Sequence, residues 1–252
     1  MVQKYGVKEV CDATFYALGG KNKGKPVIFL DTLKTSGLET KASDVAAKGG
    51  KGNAKLVEWN HSKEASMKLQ DALMSMKTLA MLNGADIKAG DATIYKTETF
   101  TLDTAAKTQE GVPAMYEVVL SETPIGEVHA LDAHGNDLLA TVEGKKVVVG
   151  SLEGVEAGSE IRVFYQFKKL SGAEKITVSA SKFPGYYRVI GDTVIRNADT
   201  GEDEAFQIVI YKTKLKSDLK MEFKADGEPS VFDLTLEVFA DGNGNMIEYI
   251  KY

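Results

Sequence analysis

The chain has 252 residues, enough for one large β domain or a core domain with a smaller one. Its 43% hydrophobic and 27% charged content predicts a packed core and excludes a disordered chain. A formal charge of −5 argues against a protein that grips nucleic-acid phosphates, but not against one that nucleic acid slides past.

Met1–Gly6 lacks the apolar stretch and small-residue cleavage site of a signal peptide. Cys11 is the lone cysteine, so no internal disulfide forms and a reducing compartment is expected. No run of about 18 apolar residues occurs, so no helical membrane anchor is expected. Val27–Leu30, between Pro26 and Asp31, has the pattern of a buried strand. Residues 34–53 follow with few large apolar side chains and no period, which predicts a long loop that is either free at the surface or ordered by a neighbouring subunit. Lys55–Trp59 predicts a strand, Asn60–Lys63 a turn, and the alternation of Ala65, Met67 and Leu69 a second, half-buried strand.

One helix is expected over about 71–82, where Ala72, Leu73, Met76, Leu79 and Ala80 form an apolar face and Asn83-Gly84 supplies the stop. Beyond it, strands are predicted at Tyr116–Leu120, Glu127–Leu131, Lys145–Val149, Ile161–Phe167 and Lys175–Ala180. Four more follow at Tyr187–Ile190, Ala205–Tyr211, Leu219–Lys224 and Val231–Phe239. Short strands at this spacing point to an all-β sandwich or barrel. A gap around Thr104–Gly111 sets off a block over about 113–170 as an insertion on the main domain.

Tests for chemistry fail one by one. Gly19–Lys25 has the spacing of a phosphate-binding loop, but Pro26 stands where Ser or Thr would hold magnesium and a strand follows, so a lysine-rich hairpin turn is expected. The histidines, His61, His129 and His134, have no nucleophile pattern beside them, and Cys11 has no histidine nearby in sequence. A cluster of His129, Asp132 and His134 spans a strand end and a turn, which favours surface residues over a metal site. Asp241–Asn245 begins like a calcium loop, but Met246 replaces the required glycine and Tyr252 the bidentate glutamate. No catalytic residue, cofactor or metal is therefore assigned. The 36 carboxylates leave a glycosidase pair across a sheet conceivable, although a solvated strand face is the ordinary explanation.

The order of segments resembles the tail tube (major tail) proteins of long-tailed bacteriophages, especially large contractile-tailed ones. The resemblance rests on Tyr5–Val10, Pro26–Thr35, Gly49–Asn53, Lys55–Trp59, Gln70–Ser75, Phe183–Asp192, Phe206–Ile210 and Ala225–Leu234. It covers about two thirds of the chain, least over 113–170. It implies two packed antiparallel sheets with one flanking helix, and copies that form hexameric rings stacked into a tube for DNA ejection. It also implies a long loop that reaches the adjacent ring. Residues 34–53 are the natural candidate, with Lys34, Thr35, Leu38, Lys48, Gly49, Gly50, Lys51, Gly52, Asn53 and Lys55 as inter-ring contacts.

The resemblance places a tube core in 1–112 and 171–252, and an added block facing outward in 113–170. The partners it implies are further copies of the chain, a tail sheath, a baseplate or initiator protein and a tape-measure protein. The implied location is the virion tail, assembled in the host bacterial cytoplasm. Physics is compatible: ring closure consumes exposed sheet edges, and head-to-tail stacking yields a filament. An acidic lumen would let DNA pass without binding, with Glu202, Asp203, Glu204, Asp226 and Glu228 as candidates. Two other readings stay open on the residues alone, a capsid decoration or head-fibre protein and a carbohydrate-binding module.

Overall fold

The computed structural model describes residues 2–103, 107–109, 112–150, 155–218, 221–227 and 229–252. The chain forms two compact units, Met1–Ile87 with Ile176–Tyr252, and Lys88–Lys175. In chain order the first unit begins with Tyr5–Val7 (β1), Asp12–Ala17 (β2), Pro26–Leu30 (β3), Leu33–Gly49 (β4), Ala54–Asp71 (β5) and the helix Met76–Leu82 (α1). The next strands are Ile87–Thr101 (β6), Lys107–Gln109 (β7), Val112–Val119 (β8), Pro124–Asp132 (β9), Asp137–Leu138 (β10), Ala140–Glu143 (β11), Lys146–Gly150 (β12) and Glu160–Ile176 (β13). Tyr186–Asn197 (β14), Asp203–Leu215 (β15), Phe232–Phe239 (β16) and Ile247–Lys251 (β17) complete the first unit.

Period-two patterning builds the first unit. β2 turns Ala13, Phe15 and Ala17 inward, β5 buries Ala65, Met67 and Leu69, and β16 buries Leu234, Leu236 and Val238. The sheet order is β3-β2-β14-β15-β16-β5-β4, with β1 on β14 and β17 on β15. Every pair in it is antiparallel. Along β15, Lys212–Leu215 pair with β16 while Phe206–Ile210 pair with β17. This split lets the β16-β5-β4 half turn over the β3-β2-β14-β15 half. The two halves enclose one core, which includes Phe15, Ile28, Leu69, Val189, Ile210 and Leu236. Each large side chain so buried contributes about 1.5–3 kcal/mol.

The helix starts later than the spacing predicts. β5 keeps its ladder to Asp71, which faces Phe232 and Leu33. The buried Asp71 carboxylate accepts bonds from the Thr32 hydroxyl and the Leu73 amide, which ties down the turn that follows the strand. The Ser75 hydroxyl then caps the helix by accepting from the Thr78 amide at 3.0 Å. Leu73, expected on the apolar face, is therefore exposed. The expected stop holds: Ala85 N–H donates to Ala80 C=O at 2.8 Å and Gly84 N–H to Met81 C=O at 3.2 Å, with Gly84 at φ +58°.

In the second unit, β10-β9-β13-β6 and β11-β12-β8-β7 form two sheets. Val118, Val147 and Val149 from one sheet meet Ala130, Ile161 and Val163 from the other in a separate core. At its border Glu98 accepts the Tyr165 hydroxyl at 2.6 Å and the Ser121 amide at 3.1 Å, with Lys96 at 3.0 Å. Burial alone would raise the Glu98 pKa, but bonds from Ser121, Tyr165 and Lys96 outweigh it and hold the carboxyl down at about 2.

The expected fold class holds: nearly all β, packed antiparallel sheets, and one α-helix among the described residues. Several details change. Residues 34–53 are not a loop; they form most of β4 and the turn that joins it to β5. Asn60–Lys63 is not a turn, because β5 runs through it with a bulge that leaves His61 out of the register between Ser62 and Asn60. The strand expected over Lys175–Ala180 stops at Ile176, and of the one expected over Leu219–Lys224 the first two residues lie outside the described residues while Met221–Lys224 is not a strand. The second unit, Lys88–Lys175, takes in all of β6 but Ile87.

Candidate assembly interface

β4 and β5 form a two-stranded arm that runs from Leu33 opposite Asp71 to Gly49 opposite Ala54. Its tip is Gly50-Lys51-Gly52-Asn53, with φ of +77° at Gly50, +86° at Gly52 and +50° at Asn53. Asn53 N–H closes the turn on Gly50 C=O at 3.2 Å. Glycine and asparagine tolerate these left-handed conformations, which explains the glycine-rich sequence there.

The arm has two halves. Near its base, Leu38 faces Met67 and packs on the first core. Beyond Ala65, β16 has ended and, among the described residues, no third strand lies beside β5. Every residue from Ala54 to Glu64 is exposed. In this outer half Val45 faces Trp59 and Ala47 faces Val57, while Asp44 faces Asn60 and Ala46 faces Glu58. Alternation therefore puts Val45, Val57 and Trp59 on one side and the charged residues on the other. Their exposures are 56%, 50% and 56%, so among the described residues this apolar face has no partner.

On the polar side, Lys55 lies 2.6 Å from Glu58 and 3.3 Å from Asp44. The Glu58 and Asp44 carboxylates hold the Lys55 ammonium above its ordinary pKa. Lys48 faces Lys55 across the ladder, and Lys51 sits in the turn. Among the described residues, neither Lys48 nor Lys51 has a carboxylate partner.

The candidate contacts thus fall into two groups. Lys34 occupies a bulge at the foot of the arm, Thr35 faces Gln70 and Leu38 faces Met67. Lys48, Gly49, Gly50, Lys51, Gly52, Asn53 and Lys55 cluster at the tip, about 33 Å further along the strand. Sequence reasoning missed Val45, Val57 and Trp59 as a single face. The period-two signal for it lies in Asp44–Ala47 and Val57–Asn60, but it reads as a surface only once the two strands are paired.

The acidic candidates are also dispersed. Asp203 takes a bidentate pair of bonds from Arg196, both 2.7 Å. Glu204 accepts from Lys251 at 2.5 Å and from Asn197 at 3.0 Å. These partners hold both carboxyls below their ordinary pKa values and balance their charge within the chain. Glu202 and Asp226 are exposed, on the β14–β15 turn and the β15–β16 connection. Glu228 lies outside the described residues. A like-charge contact missing from the sequence reading comes from register, since Asp12 on β2 faces Asp192 on β14.

The segments tested for chemistry take structural roles. Gly20–Asn22 is one 3₁₀ turn of the β2–β3 hairpin. The Asp132 carboxylate accepts the His134 and Asn136 amides, and Asp241 accepts those of Asn243 and Asn245, which closes two polar turns. Lys96 reaches the Ser121 hydroxyl, but the Glu98 carboxylate raises its pKa, so it remains an ammonium with no lone pair to take the serine proton.

A search of curated proteins finds no match for this chain. The model of the YomU/Tube protein family matches residues 5–250, across both compact units. The chain belongs to the YomU/Tube protein family.

Proposed function

We propose that this chain is the tail tube subunit of a long-tailed phage of the contractile type. Six copies close into a ring, and rings stack into the conduit through which DNA is ejected into the host. Family membership supports a phage tube-type protein. The observation that carries the finer reading is the outer half of the β4–β5 arm. A ladder with Val45, Val57 and Trp59 exposed along one face is suited to burial against another copy.

Edges support the same reading. β3 and β4 end the sheet path of the first unit, each paired on one side only among the described residues. Joining such edges between copies satisfies their backbone groups and closes the ring. The arm then reaches the next ring, where Lys48 and Lys51 meet carboxylates. Glu202, Asp226 and Glu228 supply the acidic lumen, while Asp203 and Glu204 add little because Arg196 and Lys251 already balance them. The second unit faces outward. Sheath, baseplate or initiator, and tape-measure proteins are the further partners, and the location is the virion tail.

Negative-stain electron microscopy of the purified protein at rising concentration tests this reading. Hollow filaments of ring width are expected, and an arm-shortened variant lacking 42–61 should remain folded without forming them. A protein that stays monomeric under every assembly condition overturns the reading. A map of the tube with a basic lumen overturns the acidic-conduit part alone.

A further inference from the structure

The first unit is electrically polar along its strands. At one end of β14, the Leu18 amide donates to Tyr186 C=O at 3.0 Å, which fixes the β2–β3 turn beside the start of β14. That turn is closed by Ala17 N–H to Lys25 C=O at 3.1 Å and Gly24 N–H to Ala17 C=O at 2.8 Å. It presents Lys21, Lys23 and Lys25 to solvent. Next to it Lys212 and Lys214 lie 4.7 and 5.9 Å from the centre of the Tyr186 ring, and Arg188 lies 5.7 Å from that of Tyr211. None of these cations forms an ion pair among the described residues; Glu237 faces Lys214 across the β15–β16 ladder but pairs with Lys216 at 3.0 Å. Glu248 accepts the Tyr211 hydroxyl at 2.6 Å instead.

The opposite half has the reverse sign. Asp12 faces Asp192, and Asp31 follows the Leu30–Ala13 pair at the same end of β2. Asp199 and Glu202 stand exposed on the turn after β14, with their backbones held by Asn197 and Thr200 and their carboxylates unpaired among the described residues. Arg196 and Lys251 are committed to Asp203 and Glu204. Lys4, whose carbonyl accepts the Ala198 amide at 2.8 Å, and Lys8, next to the Glu9 carbonyl that accepts the Thr193 hydroxyl, are cations near this end. The two ends of β14 are about 36 Å apart.

A clustered set of unpaired cations raises the self-energy of its surface, and a matching anionic surface relieves it. We propose that the partner of the basic end is the acidic end of a second copy, so that copies add head to tail along the β14 direction. Lys21, Lys23 and Lys25 of one copy then meet Asp199 and Glu202 of the next. This rests on the tube reading and adds to it the surface that sets the polarity of stacking. A head-to-tail contact does not close on itself, so it propagates a filament of a single sense.

Two variants test it, Lys21→Glu/Lys23→Glu/Lys25→Glu and Asp199→Lys/Glu202→Lys. All five residues are exposed, and circular dichroism checks that each variant folds. Each alone should need at least a tenfold higher concentration than wild type to form tubes, because its two contacting turns then carry one sign. An equimolar mixture should restore assembly as an alternating copolymer. Wild-type tubes should also weaken between 0.1 and 1 M salt, as the screening length falls from about 10 to about 3 Å. If the lysine triple does not fold, a Lys→Gln triple replaces it, with a smaller rise expected. Assembly of the triple at the wild-type concentration, or a mixture that stays unassembled, overturns the inference and leaves the tube reading standing. Wild type that forms no tubes sinks the tube reading itself. DNA binding lost in the triple while assembly is unchanged assigns the basic end to phosphates and overturns the proposal.

Discussion

The inner and outer halves of the β4–β5 arm are one continuous ladder with opposite environments. From Ala65 to Asp71, β5 has β16 on its other side, and Ala65, Met67 and Leu69 are buried. From Ala54 to Glu64 the same strand has β4 alone, and Leu56, Val57 and Trp59 are exposed. The β4–β5 ladder itself runs through both halves. What separates them is a third strand and a core to pack on. Apolar residues therefore stabilise the subunit in one half, and in the other remain exposed on the subunit alone.

The largest expected effect lies in the inner half. Leu69→Ala removes a side chain that is 1% exposed and should cost about 3 kcal/mol, read as a fall in the urea midpoint at unchanged slope. A loss below about 1 kcal/mol would break the comparison, because the inner half would then be no better packed than the outer. A control outside the arm comes next. Glu98 has its pKa depressed to about 2, so its contribution is fully present above its unfolded value and is lost as pH falls from about 4.5 towards 2. The acid-induced loss in wild type should exceed that in Glu98→Gln by no more than about 2 kcal/mol after solvent screening, measured by denaturation at pH 7 and pH 3. The arm should contribute little to this difference, since its ion pairs are exposed.

Smaller effects test the outer half. Gly52→Ala forces a side chain onto a backbone at φ +86° and should cost about 1 kcal/mol, with a matching loss of amide protection confined to the tip. Trp59→Ala should change monomer stability least, within about 0.5 kcal/mol, while it abolishes tube formation in microscopy. A Trp59 variant that unfolds the monomer, or assembles normally, would show that the outer face is not the contact surface.

Much of this contrast was legible in the residues. Ala65, Met67 and Leu69 alternate and are buried, and Asn83-Gly84 ends the helix with the expected bonds. The helix start was masked because Asp71–Met74 contains good helix formers, whereas pairing with Leu33 and Phe232 keeps Asp71 in the sheet. Residues 34–49 looked like a loop for the opposite reason. Beyond Leu38 this strand packs on no core and its few large apolar residues give only a short, weak period, so its ladder with β5 is what reveals it. Lysine spacing around Gly19–Lys25 suggested a turn, but not that the turn sits beside Arg188, Lys212 and Lys214.

The amino-acid order alone determined that the chain is β-rich, which side chains enter the cores of its strongly alternating strands, and where its glycine turns fall. These follow from local periodicity and backbone sterics, which act within a few residues. Tertiary structure alone decided that β4 exists, that Val45 stands beside Trp59, that Arg196 balances Asp203, and that cations and acids gather at opposite ends of β14. Each of these depends on which residues strand pairing sets opposite one another, and register across a ladder is set by the whole sheet and not by any one strand.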